Sequence, residues 1–230
     1  MIKIYADGAD LKVISEMNKD SFIKGFTTNP SILKKFGVAD YEGFAKEVLQ
    51  EVTEKPVSFE VFADSYDEMK RQALKIAGWG KNVYVKIPVT NTLQIPNYRL
   101  MSELSEMGVK VNATAITTYE QIGACISSLN TDTPSIISIF AGRIADTGLD
   151  PKPFMSYALL KKHMRQEILW ASCREVYNIA QASIIKADII TVPNDILKKM
   201  NDMANKDLKQ LSLETVQMFF RDAESSGYTL

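Results

Sequence analysis

Eight short runs rich in β-branched and aromatic residues recur along this chain, each followed by a longer segment whose apolar residues return at helical spacing. The runs fall at 2–7, 23–27, 57–61, 82–87, 109–114, 135–140, 168–172 and 188–192. Segment 66–77 shows the helical period clearly, with Met69, Ala73, Leu74, Ile76 and Ala77 at its apolar positions. Segment 118–129 repeats it with Ile122, Ala124, Cys125 and Ile126. Strand–helix alternation repeated eight times in about 200 residues predicts an α/β fold, a (β/α)8 TIM barrel. An open doubly wound sheet is the other fold with this rhythm. No linker, charge block or low-complexity stretch interrupts residues 1–230, so one domain is expected. After the eighth run, 196–203 and 213–226 read as further helices. The last carries Val216, Met218, Phe219 and Phe220. That is more apolar surface than a free tail needs, so a C-terminal helix over 211–226 is expected to pack on the barrel or on a neighbouring subunit.

Composition removes several classes of function. Lys plus Arg number 27 and Asp plus Glu 28, a net charge of -1. Such a balance does not suit a nucleic-acid binder or a basic membrane-surface protein. Uncharged runs fall far short of the ~20 residues that span a bilayer. The first residues carry no signal-peptide core, so a cytoplasmic protein is expected. One His and two Cys give no metal-ligand spacing. Cys125 and Cys173 fit no disulfide framework. His163, within Lys-Lys-His-Met-Arg, reads as a solvated helix residue. Neither metal nor cofactor is expected.

Strand parity tests the barrel. In a closed barrel each strand alternates between interior and helix layer. Catalytic groups sit where inward positions reach the C-terminal strand ends. In the first run Ile2, Ile4 and Ala6 oppose Lys3, Tyr5 and Asp7. In the third Phe59 and Val61 oppose Ser58 and Glu60. In the fourth Val83, Val85 and Ile87 oppose Asn82, Tyr84 and Lys86. In the fifth Val109, Val111 and Ala113 oppose Lys110, Asn112 and Thr114. In the sixth Ile137 and Ile139 oppose Ser138 and Phe140. The second run (Thr27, then Asn29) and the seventh (Trp170, Ser172) follow the same reading, and the eighth adds Thr191. Asp7, Thr27, Asn29, Glu60, Lys86, Asn112, Thr114, Ser138, Phe140 and Ser172 should therefore converge on one mouth. The competing explanation is a structural salt bridge from Lys86 to Asp7 or Glu60.

A lysine in a barrel interior loses hydration, which disfavours its ammonium form. A free amine attacks a ketone to give a Schiff base. The protonated imine then accepts the electrons of an adjacent breaking C–C bond. Two carboxylates, Asp7 and Glu60, can move the protons, with Thr114 able to hold a water. This is class I aldolase chemistry.

The stretch Gly25-Phe26-Thr27-Thr28-Asn29-Pro30-Ser31-Ile32 resembles the signature of the transaldolase family. So do Val85-Lys86-Ile87-Pro88-Val89-Thr90, Asn112-Ala113-Thr114, Ser138-Ile139-Phe140-Ala141-Gly142-Arg143-Ile144 and Ala171-Ser172-Cys173-Arg174. Order and spacing also match, and the chain resembles the short transaldolases related to fructose 6-phosphate aldolases. The resemblance implies that Lys86 is the Schiff-base lysine and Asp7 the acid/base. It implies that Glu60 and Thr114 hold a catalytic water. Asn29, Asn112 and Ser138 would bind hydroxyls, with Thr27 in the same signature. Arg143, Ser172 and Arg174 would hold phosphate, which guanidinium forks also favour on chemical grounds. The implied reaction moves a dihydroxyacetone unit from a ketose phosphate to an aldose phosphate. The alternative is an aldolase releasing free dihydroxyacetone. Glu60 and Phe140, where such aldolases resemble Gln and Tyr, favour transfer. A non-catalytic sugar-phosphate-binding barrel is the reading from another class. The family also implies pentamers pairing into decamers, so a homo-oligomer is expected. Departures are segment 91–98 with Pro96, which could alter a loop at the mouth, Ile139 on the sixth run, and Cys173 beside Arg174.

Overall fold

A computed structural model describes residues 2–229. The strands are β1 (Lys3–Asp7), β2 (Ile23–Thr27), β3 (Val57–Glu60), β4 (Val83–Pro88), β5 (Val111–Ile116), β6 (Ser135–Ile139), β7 (Gln166–Trp170) and β8 (Ile189–Pro193). The helices are α1 (Leu11–Lys19), α2 (Pro30–Lys35), α3 (Tyr41–Glu51), α4 (Tyr66–Ala77), α5 (Tyr98–Glu106), α6 (Tyr119–Ser128), α7 (Ala141–Asp146), α8 (Lys152–Lys161), α9 (Tyr177–Ile184), α10 (Asn194–Met203) and α11 (Leu208–Ser226). The eight strands are parallel and close in sequence order, with β8 pairing β1. The closed barrel excludes the open sheet, and α11 follows it as the additional C-terminal helix. No helix among the described residues is long and apolar enough to cross a membrane.

The two periods in the sequence build two packing layers. Outward strand residues such as Phe26, Phe59, Val85, Val111 and Ile137 meet the buried faces of the helices. On α4 that face is Met69, Ala73 and Ile76, while Leu74 is exposed. Inside the barrel a smaller cluster joins Tyr5, Tyr84, Ile136, Leu169, Ala171 and Ile189. Gly25 is required here, because a Cβ would lie 2.6 Å from the Tyr5 ring. Helix starts follow local chemistry: Thr118 caps α6 and Gln121 completes a capping box.

Parity holds on β1, β3, β4, β5 and β6 but not on β7. Leu169 and Ala171 point inward, whereas Trp170 lies in the outer core. Ile168, Leu169, Trp170 and Ala171 are all apolar, so alternation gave no sign of the inward face. Ser172 lies beyond the strand, where a left-handed φ of 63° turns the chain toward the mouth. His163 is exposed, as expected, but not helical. It follows the end of α8, and its backbone N–H donates to Gln166 Oε1 at 3.0 Å.

Segment 91–98 is a compact turn. Thr90 bridges Pro96, and the Asn91 side chain accepts from the N–H groups of Leu93 and Ile95. Asp64 clamps it through both the N–H and hydroxyl of Thr92. Among the described residues, none of this segment lines the cavity at the mouth.

Candidate active site

Register gathers the polar residues at one depth. Asp7 pairs with Thr27, Glu60 with Lys86, and Lys86 with Asn112. They open into a cavity of about 960 Å³ at the C-terminal mouth. All the residues singled out above for catalysis or binding line it, including Asn29, Phe140, Arg143, Ser172 and Arg174.

Lys86 is 6% exposed. Its Nζ lies 3.0 Å from Glu60 Oε2 and donates to the Thr28 carbonyl at 2.9 Å. The salt bridge considered from sequence is therefore present, but it borders an open cavity rather than filling a packed layer. Asp7 accepts from the Thr27 hydroxyl at 2.7 Å, and Thr27 in turn is 2.5 Å from the Thr191 hydroxyl. Burial pushes the Asp7 carboxyl above the ordinary range, and Glu60 adds to that. Lys86 and the Thr27 hydrogen bond only partly oppose it. A carboxyl raised in this way is better matched to passing a proton near neutral pH.

A second polar chain crosses the other wall. Ser138 donates to Asn112 Oδ1 at 2.7 Å, and Asn112 donates to Ser58 Oγ at 3.0 Å. These bonds fix the amide orientation of Asn112. The buried Thr114 hydroxyl has no protein partner. Beside it Ala115 adopts φ 62° where the β5–β6 register shifts, a bulge beyond which pairing resumes at Ile116 and Ile139. Asn29 caps α2 by accepting from the Ile32 N–H.

Arg143 and Arg174 share one side because two backbones touch there. A Cβ on Gly142 would sit 1.7 Å from the Ser172 carbonyl oxygen, so only glycine permits the approach. Arg174 also pairs with Asp146 at 2.7 Å, both half-exposed. Cys173 is buried, its thiol pushed up to about 11, mainly by burial. It is a poor nucleophile in that state, in keeping with a structural role.

Several lining residues escaped the sequence reading. Lys35, Asp10, Asn194 and Asp195 stand on α2, α10 and the turn into α1. They lie after the strands, where parity says nothing. Tyr41 was missed too. Its hydroxyl accepts from the Glu60 N–H at 2.8 Å and donates to the Glu60 carbonyl at 2.9 Å. Burial raises its phenol, which keeps it neutral and able to donate.

Comparison with known proteins agrees with this geometry. The family model described as transaldolase/fructose-6-phosphate aldolase matches residues 4–229. A protein named probable transaldolase from Sulfurihydrogenibium sp. is 31% identical over 233 residues, covering 97% of each chain. One of the same name from Brucella anthropi is 34% identical over 202 residues, covering 86% of this chain and 88% of that one. Among solved structures, 3-hexulose-6-phosphate synthase from Salmonella typhimurium superposes with a TM-score of 0.61 at 14% identity. It covers 86% of this chain and 91% of that one, a likeness of fold alone. Since the family match takes in all eight strands and the two relatives align over most of their length, this chain is an enzyme belonging to the transaldolase/fructose-6-phosphate aldolase family.

Proposed function

We propose that this enzyme is a transaldolase that carries a dihydroxyacetone unit from a ketose phosphate to an aldose phosphate through an imine on Lys86. The donor would be sedoheptulose 7-phosphate or fructose 6-phosphate. The acceptor would be glyceraldehyde 3-phosphate or erythrose 4-phosphate. The observation that carries this reading is the buried amine of Lys86 facing the cavity, beside Glu60 and close enough to Asp7 to influence its ionisation.

The chemistry follows from the groups at hand. Glu60 is within reach to take the ammonium proton of Lys86. The amine adds to the ketose carbonyl, and the carbinolamine loses water to give a protonated imine. Asp7 takes the proton of the hydroxyl on the far carbon of the bond to be broken, whose oxygen becomes the aldehyde oxygen. The C–C bond breaks, its electrons enter the imine, and the aldose phosphate leaves. The enamine attacks the acceptor aldehyde, whose oxygen recovers the proton from Asp7. Water then returns the amine and the new ketose. Glu60 and the unpartnered Thr114 hydroxyl are suited to place that water. Thr27, Asn29, Asn112 and Ser138 offer bonds to sugar hydroxyls, and Arg143, Ser172 and Arg174 to phosphate. An assay coupled to fructose 6-phosphate formation tests this. Turnover that requires an acceptor aldehyde supports transfer, and equal dihydroxyacetone release without one sinks it.

Phe140 bears on that choice. It lines the cavity without a hydroxyl that could protonate the enamine. F140Y should raise acceptor-free dihydroxyacetone release at least several-fold. A release rate unchanged by the substitution assigns no such role to this position.

We further propose that the enzyme works as a homo-oligomer. Helix α11 buries none of its residues within the protomer, and Leu208, Leu213, Val216, Met218, Phe219 and Phe220 are exposed. Light scattering should find an assembly of several protomers, and a monomer at micromolar concentration refutes it.

A further inference from the structure

The β2–β3 ladder is short, pairing Phe26 with Val57 and Thr27 with Ser58. Its last rung runs from the Thr28 N–H to the Ser58 carbonyl at 3.1 Å. In a parallel ladder successive residues bond to alternate neighbours. Val57 and Val61 donate toward β4, to Asn82 and Lys86 carbonyls at 3.0 and 3.1 Å. Glu60 therefore turns its N–H and carbonyl toward β2. Continuing the pattern would send the Glu60 N–H to the Thr28 carbonyl and bring an N–H from position 30 to the Glu60 carbonyl. Position 30 is proline and has no N–H. The Thr28 carbonyl is occupied by Lys86 Nζ at 2.9 Å.

The Tyr41 phenol fills this gap. One oxygen accepts from the Glu60 N–H and donates to the Glu60 carbonyl, at 2.8 and 2.9 Å. Its ring, in the first turn of α3, stands edge-on to Phe59, Phe62 and Trp79 at 6.3, 5.7 and 5.7 Å. We propose that Tyr41 is a positioning residue for the reaction. Its hydroxyl replaces the missing strand partner, fixes the end of β3 so that Glu60 faces Lys86, and leaves the Thr28 carbonyl free to hold the amine. This inference rests on the reading of Lys86 as the imine-forming group.

Removing only the hydroxyl frees the Glu60 N–H to compete with Lys86 for the Thr28 carbonyl. Small displacements of reacting groups cost rate rather than substrate affinity, so Y41F should lower kcat by about 10–100-fold. KM for fructose 6-phosphate should stay nearly constant. The decisive readout is the rate at which fructose 6-phosphate gives a borohydride-stable adduct on Lys86. Amide exchange at Glu60 should quicken in the same variant. W79F, which thins the same aromatic nest but keeps the hydroxyl, should lower Tm and leave the trapping rate unchanged. Replacing Tyr41 by 4-aminophenylalanine, which retains a para donor and lone pair, should recover much of the rate. It also serves if Y41F does not fold. Equal trapping rates in Y41F and the unaltered enzyme overturn the positioning role, as does a W79F loss matching that of Y41F. No adduct in the unaltered enzyme overturns the imine reading itself, and the positioning role with it.

Discussion

Lys86→Met should end turnover and leave no borohydride-stable adduct with fructose 6-phosphate. Loss of a covalent nucleophile costs on the order of 10⁶ in kcat in a well-studied protease, so a fall beyond about 10⁴-fold is expected. Methionine keeps an unbranched side chain as far as Cε, with sulfur in place of Cδ, and lacks the charged, reactive end. Glu60 loses a partner at 3.0 Å, but its carboxylate borders the cavity and can turn to water. Folding should survive. Sugar-phosphate binding should persist in calorimetry, because Asn29, Asn112, Ser138, Arg143, Ser172 and Arg174 remain. Mass spectrometry settles the assignment. An adduct on Lys35, the other lysine lining the cavity, would move the chemistry elsewhere. Binding without turnover in the unaltered enzyme would make the barrel a mere sugar-phosphate receptor.

Asp7→Asn should reduce kcat by about 10²–10⁴-fold, the usual worth of a general acid–base. The same change should stabilise the fold near neutral pH. Burial, with Glu60 adding to it, raises the Asp7 carboxyl above the ordinary aspartate value of 3.8, so the native state holds this proton more tightly than the unfolded chain. The group's contribution is fully present below the unfolded pKa and is lost as pH rises through the raised native one. Asparagine has no ionisation to resist. Its advantage should therefore be largest at neutral pH and vanish below about pH 3.8. For a chain of this size each kcal/mol moves Tm by about 2–4 °C. Thermal melts of both proteins from pH 4 to pH 8 test it. An asparagine variant less stable than the parent at pH 7 would show that ionised Asp7 is held favourably.

Much of this site was legible because a barrel converts a two-residue period into position. Lys86, Asn112 and Ser138 could each be placed from parity alone, since one face of each strand is wholly apolar. Alternation fails on β7 because Ile168, Leu169, Trp170 and Ala171 are all apolar, and Trp170 packs outward. Ser172 still reaches the cavity because a left-handed turn, not strand alternation, delivers it. Lys35 and Asn194 lie on helices after the strands, where approach to the mouth depends on helix tilt. Tyr41 was the least legible. In the sequence it is one apolar position of an amphipathic helix, and its partner lies 19 residues away. The clue was Pro30, a residue without an N–H at the place where the ladder needed one.

The aromatic and aliphatic cluster around Tyr5, Tyr84, Ile136, Leu169 and Ile189 gives the barrel a floor. The site then opens at the C-terminal mouth. Under the transfer reaction the first aldose phosphate and the incoming acceptor must use the same passage and the same guanidinium groups, so one has to leave before the other enters. Departure empties the vestibule while the three-carbon fragment stays tethered below. The order of events is thus imposed by architecture, and initial-rate plots against both substrates should run parallel rather than converge.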